Sequence, residues 1–454
     1  PLILRGTIGW FKSEPLGLFF GILAIYFLLS GINSKNKKIA IVKLITAGIT
    51  LSLSISAWGG SQFFIIPIGV FFLALPFVRS DHKFIIWAIP LFTVTTIIIS
   101  LSFERLTHFI FGLGGASLII PTIFVIICIF IQNKSNENKK TRNSLLFLAS
   151  ILIIGTCILI INANTEFLPI PSYRYLNAIN PFLTTSVPLI DSVAEHASTT
   201  IQQSFFFHSI LMIFAGLGIW LIIKNYQIKN SGFIKNDMIL FSLIFGLIGI
   251  YVSSAFVRLE VFASLSLIIL SSLGLSVLVK EILNNTERKN FKNSFIKFSF
   301  LVGIIILLVI PLSFPTNGNW VTAAKTPPTI LNGGSAYQVS TNDWKESMEW
   351  IKNNTPKDAV IASWWDYGYW ISTLAERATI NDNSTCCTHI IENVAKMFLS
   401  SPQEGWQILK DMQADYVVVF VSGQRLAVDN EDQSLYVLQG GGDESKKQWF
   451  IRIA

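Results

Sequence analysis

The segment SWWDYGYW, residues 363–370, places a single carboxylate among five aromatic rings. Asp366 is that carboxylate, and it directly follows Trp364 and Trp365. Removing a carboxylate from water is costly unless hydrogen-bond donors compensate it. An aromatic core cluster is the alternative interpretation, but packing alone gives no reason to place an acid there. The segment is therefore a candidate binding site in which the carboxylate needs a hydrogen-bond donor.

A second candidate is SVAEHASTT, residues 192–200, within a long stretch at 163–207. Loops above about 15 residues without structure of their own are usually functional or disordered. Glu195 could use its carboxylate to ligate a metal or to hold a substrate amide. A solvated loop acid is the alternative, and the loop by itself does not decide between them.

Two more charged residues interrupt or border apolar sequence. Arg258 lies in SSAFVRLEVFA, where a charge near a membrane interface usually faces a protein interior or an anionic ligand. A snorkelling side chain or an ion pair with Glu260 would also explain it. Glu14 lies in GWFKSEPLGLFF, just before an apolar run, where an acid can also simply begin a helix ahead of Pro15.

The composition is that of a membrane protein. Of 454 residues, 52% are hydrophobic and 13% are charged, whereas average soluble domains carry roughly 25% charged residues. The mean hydropathy is +0.56. About ten apolar runs are long enough to cross a bilayer. Their approximate limits are 16–31, 39–58, 62–78, 84–102, 109–131, 144–162, 208–223, 238–257, 260–279 and 295–314.

Alternate loops between these runs are rich in Lys and Arg, which is the pattern of cytoplasmic loops. This pattern predicts that residues 1–15, the loop 163–207 and everything after about 315 lie outside. The formal charge of +7 is then explained by topology. We therefore expect no nucleic-acid partner.

After residue 315 the hydrophobic runs shorten and strand-like and helix-like segments alternate, which predicts an α/β domain. AVIAS (359–363) and YVVVFV (416–421) read as buried strands, with the helix SPQEGWQILKDMQ between them. The aromatic segment follows the first strand and precedes a short helix, with Gly368 permitting a tight backbone. Two domains are predicted: a transmembrane domain at 1–315 of about ten helices, and an extracytoplasmic soluble α/β domain at 316–454. The chain begins with Pro1 and ends in an apolar run, so we interpret it as a fragment.

The four cysteines are too few for a disulfide framework. Cys128 and Cys157 lie in apolar runs and are expected in the core. Cys386 and Cys387 are adjacent, without a His or Cys at the spacing of a zinc site.

Taken together, these motifs resemble the catalytic subunit of oligosaccharyltransferase, the enzyme of asparagine-linked glycosylation. WWDYGYW resembles its signature, SVAEHASTT its long external loop, and VRLEV the span whose Arg contacts lipid-linked phosphate. GGGDESKKQWFIRIA matches a pattern of Asp443, Lys446 and Phe450, and DNSTCCTHI resembles the stretch after the signature. The resemblance covers nearly the whole chain, and the apolar runs would be the last spans of the family.

This resemblance implies a polytopic α-helical membrane glycosyltransferase of the C-type fold. It would transfer an oligosaccharide from a dolichol-type phosphate carrier to Asn in Asn-x-Ser/Thr, inverting the sugar carbon. Mg²⁺ or Mn²⁺ would assist the transfer. The implied catalytic residue is Glu195, and Glu14 and Glu195 would bind the metal. The residues implied to hold the acceptor are Trp364, Trp365, Asp366, Asp443 and Lys446, and those for the donor phosphate are Arg258 and His196. Lys12 stands where the family has an acid. Either Glu14 serves alone, or the alignment register differs, or this chain binds metal poorly.

The expected partners are the lipid-linked donor, an acceptor polypeptide and the membrane, and the chain could act as a single subunit. The expected location is the cell membrane, or the endoplasmic reticulum membrane in a eukaryote, with the active site on the extracytoplasmic face. Another membrane glycosyltransferase that uses lipid-phosphate sugars is one alternative. A transporter is the other, but it would need polar residues within the spans, which are nearly free of them.

Overall fold

The computed structural model describes residues 2, 6, 12–165, 188–229, 237–284, 291–315, 319–325, 329–332, 341–427 and 434–454. The chain divides into two compact units. The first comprises Pro1–Thr184 and Ala197–Lys325, and the second comprises Thr185–His196 and Thr326–Ala454. The domain limits predicted from sequence stay a prediction, and part of the predicted outer loop, 166–187, lies outside the described residues.

The first unit is helical. Its α-helices are Glu14–Ile32, Lys37–Ala57, Ile65–Val78, His82–Leu101, Glu104–Ile110, Leu113–Lys134, Lys140–Thr165, Ile201–His208, Ile210–Lys229, Asp237–Ser253, Glu260–Asn284, Phe291–Ser313 and Trp320–Lys325. Short 3-10 turns are Gly59–Phe64, Glu137–Lys139 and Val257–Leu259. Each apolar run of the sequence coincides with one long helix or with the pair that meets at Ser209.

Most of these helices could cross a membrane. Among the described residues, eight are long and apolar enough, or nine if a bent pair is counted as one span. That pair, Ile201–His208 and Ile210–Lys224, is bent by 94°. Asp237–Ser253 is apolar but only 17 residues long. This composition and length agree with the polytopic helical fold predicted from sequence.

Aromatic rings fill the core of the first unit, where Phe64, Phe72, Phe92 and Phe262 are fully buried. Away from this core, one helix turns largely outward. Only 6% of the apolar window in Glu137–Ile158 is buried inside the protein. Cys157 is exposed on this helix, so its predicted core position is wrong, whereas the buried position of Cys128 is confirmed. An apolar run in a membrane protein can face lipid instead of protein, and hydropathy alone does not separate the two.

The second unit is an α/β unit. A three-stranded parallel sheet has Val360–Ala362 in the centre, flanked by Ala378–Thr379 and Tyr416–Val417. An antiparallel hairpin joins Val421–Ala427 to Ser434–Gly442. The strand predicted at 416–421 is thus divided between two sheets. The helices are Pro188–Asp191, Asp343–Asn354, Gly368–Thr373, Thr388–Leu399, Pro402–Asp411 and Lys447–Ile453, with 3-10 turns at Ala194–His196, Ile330–Asn332, Trp365–Tyr367 and Asp443–Lys446.

The core of the second unit is built around the aromatic segment. Trp364 and Ile361 pack with Met348 and Phe450 in one buried cluster. Leu189 joins the same cluster from a part of the chain more than 100 residues earlier. The part of the predicted outer loop around Leu189 therefore packs as part of the α/β unit, whereas the loop from Ala197 onward belongs to the first unit.

Candidate functional site

The aromatic turn, Trp364–Trp370, directly follows the central strand of the parallel sheet. Trp365–Tyr367 forms one 3-10 turn, and a helix begins at Gly368. The predicted strand-to-helix turn is confirmed. Ligands of parallel α/β sheets usually bind beyond the carboxyl ends of the strands, which is where this turn lies.

Gly368 is required for a reason other than the one predicted from sequence. Its φ of −55° is ordinary helical backbone, which any residue can adopt. A Cβ there would lie 2.4 Å from the carbonyl oxygen of Asn381 and 2.5 Å from Cα of Asp382. Asn383 adds a side-chain bond from Nδ2 to the carbonyl oxygen of Asp366 at 3.1 Å. The close approach of this neighbouring loop therefore excludes a side chain at Gly368.

Asp366 is paired but remains accessible. Its Oδ2 accepts a hydrogen bond from Lys446 Nζ at 2.8 Å, and 35% of its side chain is exposed. Lys446 also donates to the hydroxyl oxygen of Tyr367 at 2.9 Å and lies 4.6 Å from the centroid of that ring. Asp366 can therefore accept a further hydrogen bond without losing its ion pair.

Asp443 supports this pair from a buried position. Its Oδ1 accepts from the hydroxyl of Tyr367 at 2.6 Å, and its Oδ2 accepts from the backbone N–H of Phe420 at 2.8 Å. Lys446 Nζ is 3.5 Å from the same carboxylate. Burial, followed by the charge and hydrogen bond of Asp443, raises the pKa of Tyr367 well above its usual value, so this hydroxyl keeps its proton. Asp443 thus orients Tyr367 and Lys446, and they in turn border Asp366.

The two tryptophans differ in their surroundings. Trp364 is 2% exposed, and its ring centroid is 4.7 Å from that of Phe450 in the core. Trp365 is 8% exposed, and its indole N–H is buried with no hydrogen-bond partner among the described residues. Leaving such a donor unsatisfied costs about 1–3 kcal/mol. A ligand oxygen that reached it would recover that free energy.

In the first unit, Arg258 and Glu14 form an ion pair. Arg258 lies in the 3-10 turn Val257–Leu259, and its Nη2 donates to Glu14 Oε1 at 2.9 Å. Glu14 is completely buried, whereas a third of the Arg258 side chain, 33%, is exposed. The pair with Glu260 that the sequence left open is not formed, because Glu260 instead binds His208 at 2.6 Å. Lys12 precedes Ser13, the residue before the helix that Glu14 begins.

Glu195 and His196 lie in the second unit, in the 3-10 turn Ala194–His196. The ring of His196 is held in place by contact of its Nδ1 with the carbonyl oxygen of Ile190 at 2.9 Å. Both side chains are half-buried. The structure thus pairs Glu14 with Arg258 in the first unit and places the other predicted site residues in the second unit.

Sequence reasoning missed several members of these groups. The Tyr367 hydroxyl joins Asp366, Lys446 and Asp443, but Tyr367 was considered only as an aromatic ring. Buried His208, beside Glu260, was not singled out. An i, i+4 pair of Ser204 and His208 just before an apolar helix is the local signal that could have identified it.

The residues do not by themselves form a metal centre. Within the described ranges, no three His, Cys, Asp or Glu side chains group closely enough to hold a metal ion. The Glu14 carboxylate is already bonded to the guanidinium of Arg258. Oxygen-preferring cations take six or more ligands, so the described residues do not complete such a site.

Comparison with known proteins identifies relatives over nearly the whole chain, although no family model matches it. It is 27% identical over 462 residues to subunit STT3 of the dolichyl-diphosphooligosaccharide–protein glycosyltransferase of Dictyostelium discoideum, covering 97% of this chain and 62% of that protein. It is 23% identical to subunit STT3B of Oryza sativa subsp. japonica, covering 97% of this chain and 64% of that one. The chain therefore spans less than two thirds of the length of these relatives.

Two solved structures share the fold. One is the archaeal oligosaccharyltransferase AglB from Archaeoglobus fulgidus in complex with an inhibitory peptide and a dolichol-phosphate, with a TM-score of 0.66, 16% identity and coverage of 91% of this chain and 53% of that chain. The other is an oligosaccharyltransferase of the same organism in complex with Zn and sulfate, with a TM-score of 0.58, 17% identity and coverage of 91% and 50%. The resemblance and the fold class predicted from sequence are confirmed.

Proposed function

We propose that this chain is the catalytic part of an oligosaccharyltransferase. It would move an oligosaccharide from a dolichol-type phosphate carrier to Asn in Asn-x-Ser/Thr. The observation that carries the proposal is the arrangement at the aromatic turn, where the partly exposed carboxylate of Asp366 lies next in sequence to a buried, unsatisfied indole N–H. Similarity to STT3 over 97% of the chain supports the same activity.

The acceptor would be recognised through its Ser or Thr hydroxyl. That hydroxyl would donate to Asp366, while the indole N–H of Trp365 donates to the hydroxyl oxygen. Lys446 and Asp443 hold the carboxylate and its surroundings in place, and Trp364 fixes the turn by its packing. A hydrogen bond to a charged group contributes roughly 1.5–3 kcal/mol. Peptides without the hydroxyl would be rejected, since the polar groups of the site would stay unpaired.

The donor would be held at its phosphate by Arg258 and His196. Negative charge accumulates on that phosphate as its bond to the anomeric carbon of the sugar breaks, and a cationic side chain stabilises it most in the transition state. Arg258 keeps a third of its side chain exposed, 33%, so an anion can approach it.

Transfer would be completed by Glu195. The amide nitrogen of Asn is a poor nucleophile because its electron pair is conjugated with the carbonyl group. Glu195 would accept a hydrogen bond from the amide and take its proton as nitrogen bonds to the anomeric carbon. The phosphate leaves with the electrons of the broken C–O bond. A single in-line displacement of this kind inverts the sugar carbon.

A divalent cation, Mg²⁺ or Mn²⁺, is part of the proposal, with Glu14 and Glu195 as carboxylate ligands. The structure of the Archaeoglobus fulgidus enzyme with Zn supports a divalent ion in proteins of this fold. We assign no chemical step to the ion, because the described residues do not complete its ligand set. Removal of divalent ions by a chelator, followed by titration of transfer activity with Mn²⁺, tests the requirement. In Lys12→Asp, a lower Mn²⁺ concentration should be enough to restore transfer.

We propose that the active site lies on the extracytoplasmic face of a multi-pass protein in the cell membrane, or in the endoplasmic reticulum membrane of a eukaryote. The alternation of basic loops supports this side. Packing of the Pro188–Asp191 helix in the α/β unit supports a common side for the outer loop and this unit. The partners are the lipid-linked donor and an acceptor polypeptide, and the chain could act as a single catalytic subunit.

The experiment is a peptide titration of transfer activity in membranes. Wild-type protein should use Asn-x-Thr better than Asn-x-Ser, by severalfold if the extra methyl group is buried, worth about 0.8 kcal/mol, and should not use Asn-x-Ala. Asp366→Asn should raise the Michaelis constant for the Asn-x-Thr peptide by about tenfold or more, and the Michaelis constant for the donor should stay unchanged. Equal use of the Thr and Ala peptides by wild type would contradict the proposal. Glu376→Gln, at an exposed acid of the same unit, is the matched control.

A second variant tests the catalytic assignment. Glu195→Gln should remove nearly all transfer, whereas Asp191→Asn, four residues earlier and paired with Arg452 at the surface, should retain it. Turnover of Glu195→Gln at the wild-type rate would exclude Glu195 from the reaction.

A further inference from the structure

A buried carboxylate lies two residues after Arg258. Glu260 accepts a hydrogen bond from the hydroxyl of Ser204 and, at 2.6 Å, from Nε2 of His208. The side chains of His208 and Glu260 are 2% and 1% exposed. Ser204 and His208 lie one helical turn apart, so both reach the same carboxylate from one face of their helix. Two donors on one helix therefore hold the acid that follows Arg258.

Stability alone does not account for this pair. Burying a carboxylate and an imidazole costs free energy that their hydrogen bond often does no more than cancel, so such a contact is a weak source of stability. Ionisable side chains at membrane depth are uncommon and usually mark functional sites. Neither His208 nor Glu260 takes part in the steps proposed above.

The residues before Arg258 are held by the same part of the chain. The N–H of Val257 donates to the carbonyl oxygen of Ala197 at 2.9 Å. The hydroxyl and the N–H of Thr199 donate to the carbonyl oxygens of Ser253 and Ser254 at 3.0 and 3.4 Å. The segment Ala197–His208, hereafter the strap, thus bonds to the chain on both sides of Arg258.

The strap has a defined local structure. Its helix begins with a capping box in which Thr200 and Gln203 exchange side-chain-to-backbone bonds at 3.2 Å. The helix ends at His208, beyond which the chain bends by 94°. Phe205 and Phe206, which lie outside the face formed by Ser204 and His208, are 52% and 56% exposed. The strap is therefore held to the Arg258 region by polar contacts and not by burial of its two phenylalanine rings.

We propose that Ser204, His208 and Glu260 form a clamp that positions Arg258 for the phosphate of the lipid-linked donor. The inference rests on the proposed function. The three residues touch no substrate and act through Arg258, so they are positioning residues. Arg258 lies in a 3-10 turn, in which the N–H of Leu259 bonds to the carbonyl oxygen of Phe256 at 2.9 Å. Holding both ends of this turn limits the directions in which the guanidinium can extend, and that lowers the cost of ordering it on the phosphate.

The first test compares variants in donor kinetics. Glu260→Leu should raise the Michaelis constant for the lipid-linked donor by about tenfold or more and also lower kcat, because Arg258 stabilises the transition state most. The Michaelis constant for the acceptor peptide should stay nearly unchanged. Glu260→Gln keeps the shape of the side chain and an acceptor oxygen, so its Michaelis constant for the donor should stay within about threefold of the wild-type value. Ser204→Ala is a milder change and should also raise the Michaelis constant for the donor. It replaces Glu260→Leu as the test if that variant does not fold.

The matched control is Asp237→Leu. Asp237 is a buried acid, 5% exposed, whose ion pair is with Arg79. It begins the helix Asp237–Ser253, so it lies about 25 Å along that helix from the strap contacts at Ser253. This variant breaks a comparable pair and should leave the donor constant unchanged.

The decisive measurement is binding of a short-chain polyprenyl phosphate in the Arg258→Ala background. If the clamp acts through Arg258, Glu260→Leu should weaken binding in wild type and have little further effect in Arg258→Ala. Equal weakening in both backgrounds would mean a merely structural role and would overturn the inference. Unchanged donor kinetics in Glu260→Leu would also overturn it. A wild type that neither binds the phosphate nor transfers the glycan would overturn the proposed function, and the clamp with it.

Discussion

Arg258 and Glu14 meet as an ion pair although 244 residues separate them in the chain. Arg258 Nη2 lies 2.9 Å from the completely buried carboxylate of Glu14, and a third of the arginine side chain remains exposed. One residue implied for the donor phosphate, Arg258, and one implied for the metal, Glu14, are therefore in direct contact. The acid neutralises the guanidinium, and an incoming phosphate would have to share or replace that contact.

Unequal burial of this pair predicts unequal effects of breaking it. Arg258→Met removes a cationic partner of a fully buried carboxylate and should lower the free energy of unfolding by about 3 kcal/mol. Glu14→Gln leaves a guanidinium that water can reach and should cost about 1 kcal/mol or less. Thermal unfolding of the two variants in detergent measures the difference. Equal losses would show that solvent does not reach Arg258.

Gly368 predicts a steric effect at the aromatic turn. Gly368→Ala places a Cβ 2.4 Å from the carbonyl oxygen of Asn381, so the neighbouring loop must move. We expect a loss of about 1–3 kcal/mol in stability and weaker acceptor binding. Gly405→Ala is the control in the same unit, because its Cβ would lie 3.3 Å from the nearest atom. Acceptor affinity of wild-type strength in Gly368→Ala would contradict the role of this contact.

Local pattern was sufficient for the long helices, for the strand before the aromatic turn and for part of the site, but not for the strand predicted at 416–421, which is divided between two sheets. The apolar runs predicted the helices, since crossing a bilayer requires a fixed length of apolar sequence. The strand-to-helix turn that carries Asp366 was also predictable, because strand, turn and helix follow each other within about 15 residues. The exposure of Cys157 was not, because lipid and protein interior select the same residue types.

Contacts between residues far apart in the chain left no local pattern in the sequence that could predict them. The sequence left open a pair between Arg258 and Glu260, its nearest acid, but residues two apart on a helix do not face each other. The true partner, Glu14, lies at the far end of the unit's sequence. The bond from Tyr367 to Asp443 spans 76 residues and was equally hidden, although both residues lie in segments singled out for function.

Tyr367 predicts a pH dependence of stability. Burial and Asp443 raise the pKa of its hydroxyl in the folded state, whereas the unfolded chain has a tyrosine pKa near 10. The stability that Tyr367 contributes is therefore fully present below about pH 10 and falls as pH rises further, by about 1.4 kcal/mol per unit.

The difference between wild type and Tyr367→Phe isolates this contribution, because the lysines that titrate in the same range are common to both. Unfolding of both proteins is followed by tryptophan fluorescence between pH 8 and 11. The difference between their free energies of unfolding should be constant up to about pH 10 and should become smaller above it. A difference that stays constant to pH 11 would mean that Tyr367 ionises in the folded protein as readily as in the unfolded chain.

The charge of the loops predicts which side of the membrane each segment faces. Cys386 is exposed in the α/β unit, so an impermeant maleimide should label the wild-type protein in intact cells. In a variant whose Cys386, Cys387 and Cys157 are replaced by serine, a single new cysteine reports its own position. Ser198→Cys in this background should be labelled in intact cells. Asn136→Cys, at an exposed position in a basic loop, should be labelled only after the cells are permeabilised. The reverse pattern would place the aromatic turn and Asp366 in the cytoplasm, where a lipid-linked donor presented on the outer face could not reach them.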